Sequence, residues 1–376
     1  MNIVSVTCDY ADCTGGSAET VRQFAEALGC STISFTAKPL LEQCVRDAGV
    51  VHVPLSAAAT YGWPDGQGLR AAEEALRGAQ FIFCHKLFRY HDDWVRRAAT
   101  RWRIPYCVVP HGALDPYVFS YRALRKRAWM ASLGRSLFRR SAGLLFATAP
   151  EREKAARFVD GVPSWVVGWP APEAPAGDPE SDRRRVRAQF GIPERDRVLL
   201  FLGRLDPMKR PHETIAAFLR AAAVDAHLII AGPDGEYSAA ELRALIGSSG
   251  SANVHVAGPA YGADKWSLYH AADAFVNLSA RENYGYTVAE ALAANLPVIL
   301  SPGNALAVEL DRVGCGWMLA TDTAEECSAA IDAALRTSPE ALRAMGARGH
   351  SWAARNASMG RFRSRLLTIV DEAVAA

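Results

Sequence analysis

Short apolar runs alternate along the chain with stretches whose apolar positions recur at helical spacing, and the alternation occurs in both halves. In the first half Ile3–Thr7, Ser34–Phe35, Phe81–Cys84, Tyr106–Val109 and Leu144–Ala147 read as strands. Continuous apolar runs of this length suit strands covered on both faces. Between the first two, Ala18–Leu28 carries Val21, Phe24, Ala25 and Leu28 at i, i+3, i+4 and i+7, one face of a helix. A second series follows, with Val198–Leu202, Ala226–Ala231, Val254–Ala257, Ala274–Leu278 and Val298–Leu300 as strands and helices between them. Strands alternating with helices predict parallel sheets covered by helices, an α/β fold in two Rossmann-like halves.

The halves meet at Trp169–Asp182, which holds four prolines and no periodicity and so suits neither a helix interior nor a central strand. The expected domains are residues 1–170, with a C-terminal helix near 356–376 added, and residues 171–355. Two such halves facing each other would line a cleft with the carboxyl ends of their strands, where open α/β sheets bind ligands.

Charge narrows the partners. Lys plus Arg number 42 against 40 Asp plus Glu, too balanced for a protein that coats itself with nucleic acid. Residues 1–170 carry 21 basic and 15 acidic side chains, the remainder 21 and 25, so the halves are +6 and −4. Eight cysteines, at 8, 13, 30, 44, 84, 107, 315 and 327, form no C-x-x-C pair, and several sit in apolar runs; they read as reduced thiols of a cytoplasmic protein. The opening Met1–Thr7 reads as a first strand, not a secretory leader, and no apolar run approaches the roughly 18 residues of a membrane span.

Four constellations bear chemistry. Gly15-Gly16, after the first strand, lets a backbone approach a ligand, with Ser17 a plausible helix cap; a plain glycine turn reads equally well. His111, between Pro110 and Gly112 at the end of a strand, can aim its ring into a cleft, with Asp115 to orient it or to hold an acceptor. Arg204 and Lys209 lie between a strand end and a helix opening near Pro211, cations suited to a departing diphosphate. Glu282 and Glu290, with seven residues between them, bracket Asn283, Tyr284 and Gly285 at a helix start. A phosphate site between two carboxylates describes a sugar joined through a diphosphate to a nucleoside.

In this order the motifs resemble the retaining GT-B glycosyltransferases of family 4, the group 1 glycosyltransferases. The resemblance covers nearly the whole chain, and His111-Gly-Ala-Leu-Asp-Pro-Tyr117 looks most like enzymes of exopolysaccharide and lipopolysaccharide synthesis. It implies that Glu290 binds the donor ribose, Glu282 the transferred sugar, and Arg204 and Lys209 the diphosphate, helped by Gly16 and the amides of Asn283 to Gly285. It implies further that His111 contacts the sugar near the reacting centre and that Pro259, Ala260 and Tyr261 lie beside the base. The co-substrate is then a nucleotide-diphosphate sugar, UDP-linked in preference to GDP-linked, with no metal and no other cofactor. Attack would come from the leaving group's own face, the departing phosphate taking the acceptor's proton. The C-terminal helix would cross back to the first domain. Two departures stand out: Asn295 replaces the usual glycine before Leu296-Pro297, and Val167-Gly-Trp-Pro170 replaces an Asn-Gly turn.

From Tyr121 to Arg140 there are seven basic residues and no acidic one, interleaved with Leu124, Trp129, Met130, Leu133, Leu137 and Phe138. A basic amphipathic helix of this kind can lie on an anionic membrane, here the inner face, which would suit a lipid-linked or glycan acceptor. A solvated helix face is the plainer reading. Three rival readings remain: an NAD-dependent oxidoreductase, which lacks its G-x-G-x-x-G fingerprint here, a glycoside hydrolase using Glu282 and Glu290 as acid and base, and a non-catalytic sugar or nucleotide binding protein, whose sign would be the loss of His111 or Glu282.

Overall fold

A computed structural model describes residues 1–8, 16–36, 49–55, 64, 66–221, 225–249 and 252–375. They form two compact units, one of Met1–Pro170 with Met359–Ala376 and one of Ala171–Ser358.

The first unit is built on β1 (Ile3–Cys8), β2 (Ser31–Thr36), β3 (Val50–Pro54), β4 (Phe81–His85), β5 (Tyr106–Val109), β6 (Gly143–Phe146) and β7 (Ser164–Val166), all parallel in the order β3-β2-β1-β4-β5-β6-β7. The central strands β1, β4, β5 and β6 are wholly buried, as their continuous apolar sequences require. The edge strands β3 and β7 escape the sequence reading because they are half-exposed and mixed in polarity.

The first helix runs Gly16–Leu28, so Ser17 lies inside its first turn and is not the cap. Its buried face is Ala18, Val21, Phe24 and Ala27, turned slightly from the expected one because a second helix shares it. That second helix, Met359–Ala375, buries Phe362, Leu366, Ile369 and Val370 in the first unit. Phe362 meets Phe24 edge-on at 5.1 Å and Trp169 at 5.9 Å, and Arg365 donates to the Val167 carbonyl at 2.9 Å. Trp169 is therefore core, not linker.

The basic stretch folds as helices Ala123–Trp129 and Arg135–Arg139 joined by a π-type turn at Met130–Gly134. Trp129, Leu137 and Phe138 point into the first unit's core, which corrects the picture of a free apolar face. Leu124 and Tyr121 stay outside, 81% and 65% exposed. Among the described residues no helix is long and apolar enough to cross a membrane. The six described cysteines are free and buried; Cys13 and Cys44 lie outside the described residues.

The second unit carries β8 (Arg197–Leu202), β9 (Ala226–Ala231), β10 (Val254–Gly258), β11 (Ala274–Asn277), β12 (Val298–Leu300) and β13 (Gly316–Met318), parallel in the order β10-β9-β8-β11-β12-β13. The expected linker gives its last four residues to helix Pro179–Gln189. Asp178 caps that helix by accepting from Glu180 N, and Pro179 occupies a position whose missing N–H costs nothing. The edge strand β13, half-buried and only three residues long, was also unread.

Candidate active site

In the second unit the strand order reverses between β8 and β11, the switch point at which open α/β sheets leave a crevice beyond the strand ends. The loop after β8 carries Arg204 and Lys209 and enters helix Pro211–Ala221; the loop after β11 carries Glu282. Ala280 N donates to Met208 O at 2.8 Å and ties the two loops together. Lys209 Nζ donates to Glu282 Oε2, so the cation expected on a diphosphate and the carboxylate expected on a sugar are here each other's partners. Arg204 pairs with Asp206 at 2.9 Å but leaves 60% of its side chain exposed.

Glu282 is fixed through its backbone, which donates to Gly303 O at 2.9 Å and accepts from Ala305 N at 3.0 Å. Three residues on, Gly285 caps helix Tyr286–Ala293 with φ of 80°, a left-handed value that favours glycine. A Cβ there would press within 3.1–3.2 Å of Glu282 Cγ, Asn304 Nδ2 and Val288 Cγ2. Asn283 and Tyr284 precede this cap, so the expected phosphate-binding amides stand just before the helix. Asn304, which the sequence reading missed, is buried with its Nδ2 unpartnered. Its backbone bridge to Glu282 is a product of the fold that no spacing signals.

Glu290 lies on helix Tyr286–Ala293 and is 4% exposed. Lys265 Nζ donates to its Oε1 at 2.6 Å and Tyr269 OH to its Oε2 at 2.8 Å. Both donors come from helix Gly262–Ala271 and neither was foreseen, although they are four residues apart on one helical face. Burial, and then the Glu290 charge, push the Tyr269 phenol well above its ordinary pKa, so it remains a donor. Pro259, Ala260 and Tyr261 form the turn between β10 and that helix, and Tyr261 is 53% exposed at its start. Asn295 has φ of 60°, which explains how it stands in for glycine: of the non-glycine residues, asparagine tolerates that conformation best.

His111 belongs to the first unit. It follows β5 with φ of 52°, and Gly112 with 76°, a sharp turn held by buried Glu151, whose two oxygens accept from Gly112 N and Ala147 N, each at 2.7 Å. Its Nε2 lies 3.0 Å from Nδ1 of His85, so the ring is oriented by a histidine that the sequence reading overlooked. Asp115 caps a 3₁₀ turn by accepting from Tyr117 N at 2.8 Å and pairs with Lys154 at 3.2 Å. Burial and the Lys86 charge lower the His111 pKa to about 3. Gly16 opens the first helix, while Gly15 lies outside the described residues. Among those described, Cys84, His91 and Asp92 form one buried group of metal-ligating types. There His91 Nε2 already donates to His85 O, and Asp92 Oδ2 accepts from Arg89 N.

Residues 182–352, a little under half of the chain, match the family model for "Glycosyl transferases group 1". The matched residues lie wholly within the second unit. The D-inositol 3-phosphate glycosyltransferase of Saccharomonospora viridis is 29% identical over 62% of this chain and 56% of its own length, and that of Salinispora arenicola 33% over 54% and 47%. The chain thus spans about half the length of these curated relatives. Among solved structures, WaaG, a glycosyltransferase involved in lipopolysaccharide biosynthesis, superposes with a TM-score of 0.70 at 18% identity, covering 97% of this chain and 99% of that one. The fold is GT-B, and the residues matched by the family model lie in its second Rossmann-like unit.

Proposed function

We propose that this chain is a retaining glycosyltransferase that takes a sugar from a nucleotide-diphosphate donor, UDP-linked, and passes it to a glycan or lipid-linked acceptor in cell-surface polysaccharide synthesis. The observation that carries the reading is the geometry at the second unit's switch point: two carboxylates bracket a helix start, with a lysine on the first. Each of these carboxylates is already held by a lysine, Glu282 by Lys209 and Glu290 by Lys265. A donor would be gripped by exchange: its diphosphate takes Lys209 and Arg204, which frees Glu282 for the sugar hydroxyls, while Glu290 takes the ribose hydroxyls. The amides near Gly285 and the helix they open add positive potential to the phosphate site. His111 would meet the sugar, and the departing phosphate would accept the acceptor's proton, with Lys209 and Arg204 supplying the charge that a metal supplies elsewhere.

HepE of Anabaena, 16% identical with a TM-score of 0.74 over 98% of this chain and 99% of its own, has been solved with UDP-glucose, which supports the choice of uracil. The outward Leu124 and Tyr121 among exposed arginines support a peripheral association with anionic lipid, although the buried Trp129, Leu137 and Phe138 reduce the surface available for it. Calorimetric titration with UDP, GDP and NAD, with and without magnesium, tests the reading. Binding of UDP unchanged by magnesium is expected; binding of NAD alone would move the chain to the oxidoreductases.

A further inference from the structure

Beneath the turn that carries His111 lies a second histidine with no assigned purpose. His85, the last residue of β4, is fully buried, and its Nδ1 is 3.0 Å from His111 Nε2. A hydrogen bond between two imidazoles needs one proton on the shared edge, and the direction can be decided. His85 Nε2 is buried and without a partner. The rings beside it, Phe24 at 4.7 Å and Phe83 at 6.5 Å, offer no oxygen or nitrogen. A proton on Nε2 would leave an orphaned buried N–H, which native structures avoid more strictly than a bare acceptor. The proton therefore belongs on His85 Nδ1, and His111 Nε2 accepts it. Neutral imidazole has one N–H, so that of His111 must be on Nδ1. Burial keeps both rings neutral, His85 well below its ordinary pKa and His111 at about 3.

We propose that His85 is a positioning residue for His111: it fixes the Nδ1–H tautomer, so that the nitrogen His111 has left for a ligand is a hydrogen-bond donor and not an acceptor. A donor suits a sugar hydroxyl oxygen, whereas an acceptor would suit a general base. The inference rests on the reading of His111 as a sugar contact only for its purpose, not for the tautomer itself. His85 is held for the task by His91 Nε2, which donates to the His85 carbonyl at 2.7 Å, and Glu151 holds the His111 turn from the other side.

The test is long-range proton–nitrogen NMR of the full chain labelled with ¹⁵N-histidine, assigned through His85→Phe and His111→Asn. The expected wild-type spectrum has His111 protonated at Nδ1, and His85→Phe moves it to the Nε2–H form common in water. A wild-type His111 protonated at Nε2 overturns the proposal. Hydrolysis of UDP-glucose supplies the second readout. His85→Phe should lower kcat about tenfold or more with KM nearly unchanged, as loss of an orienting partner does elsewhere. His85→Gln, whose amide can still donate, should recover part of it. Equal loss in both variants, with an unchanged His111 spectrum, would reduce His85 to packing. A wild-type Nδ1–H His111 in a chain that binds no nucleotide would keep the tautomer and remove the transferase.

Discussion

Tyr269 donates its phenolic proton to Glu290 at 2.8 Å, and both side chains are buried on facing helices of the second unit. The bond sets the direction of the carboxylate before any ligand arrives, and the consequence is testable. Glu290→Ala should weaken UDP binding at least tenfold, the loss of about 1.5–3 kcal/mol for hydrogen bonds to a charged group. Tyr269→Phe should weaken it less. Titration calorimetry reads both, and a wild-type affinity in Glu290→Ala would remove that residue from the ribose.

Glu282 behaves oppositely. Because it holds Lys209 in the free protein, Glu282→Gln should leave UDP affinity equal or slightly higher while transfer falls. Weaker UDP binding in Glu282→Gln, at unchanged thermal stability, would contradict the exchange of partners proposed for Lys209.

Gly285→Ala should cost about 1–3 kcal/mol in backbone strain at φ of 80° and, through its contact with Glu282 Cγ, disturb Glu282 more than Glu290. Denaturant unfolding gives the first quantity. The ratio of kcat loss to UDP affinity loss gives the second, and it should exceed one.

Three histidines of the first unit, buried His85 and His91 and half-buried His111, have depressed pKa values, the last two about 3, chiefly through desolvation. Unfolding lets them bind protons below their free value of about 6.5, so they withdraw stability as pH falls below that point. Asp92 has the reverse sign: burial raises it to about 8, and its ionisation on unfolding withdraws stability as pH rises from about 4 towards 8. Below about pH 6.5 three histidines outweigh one aspartate, and above it Asp92 acts alone. The thermal stability of the first unit should therefore be maximal near pH 6–7, and Asp92→Asn should flatten the alkaline side. A melting temperature constant from pH 4.5 to 6.5 would contradict the assignment.

Phe362→Ala should destabilise the first unit by about 3–5 kcal/mol, since its ring fills the space between Phe24 and Trp169. Hydrogen exchange should show the loss in β1 and β4 and leave β8 and β11 protected.

The central strands were legible because a parallel strand covered on both faces has no polar alternation to confuse it; β5, β9 and β12 fall where their apolar runs fall. Edge strands β3, β7 and β13 were not, because half-burial dilutes the same signal over three to five residues. The candidate site shows the same limit at another scale. Glu282, Glu290, Arg204 and Lys209 could be named from motif order, but Lys265, Tyr269, Asn304 and His85 enter only through tertiary proximity. His85 left one trace: parallel register pairs it with Val109, two residues before His111.

The helix Met359–Ala375 supplies Phe362 to a core whose other members precede Pro170. In the order of synthesis, the second unit is complete before the first can close. A nascent chain must therefore keep Phe24 and Trp169 uncovered for nearly 190 residues of elongation, until Phe362 arrives to cover them. The helix Met359–Ala375 thereby makes the first unit's stability a report that the second unit has already been made.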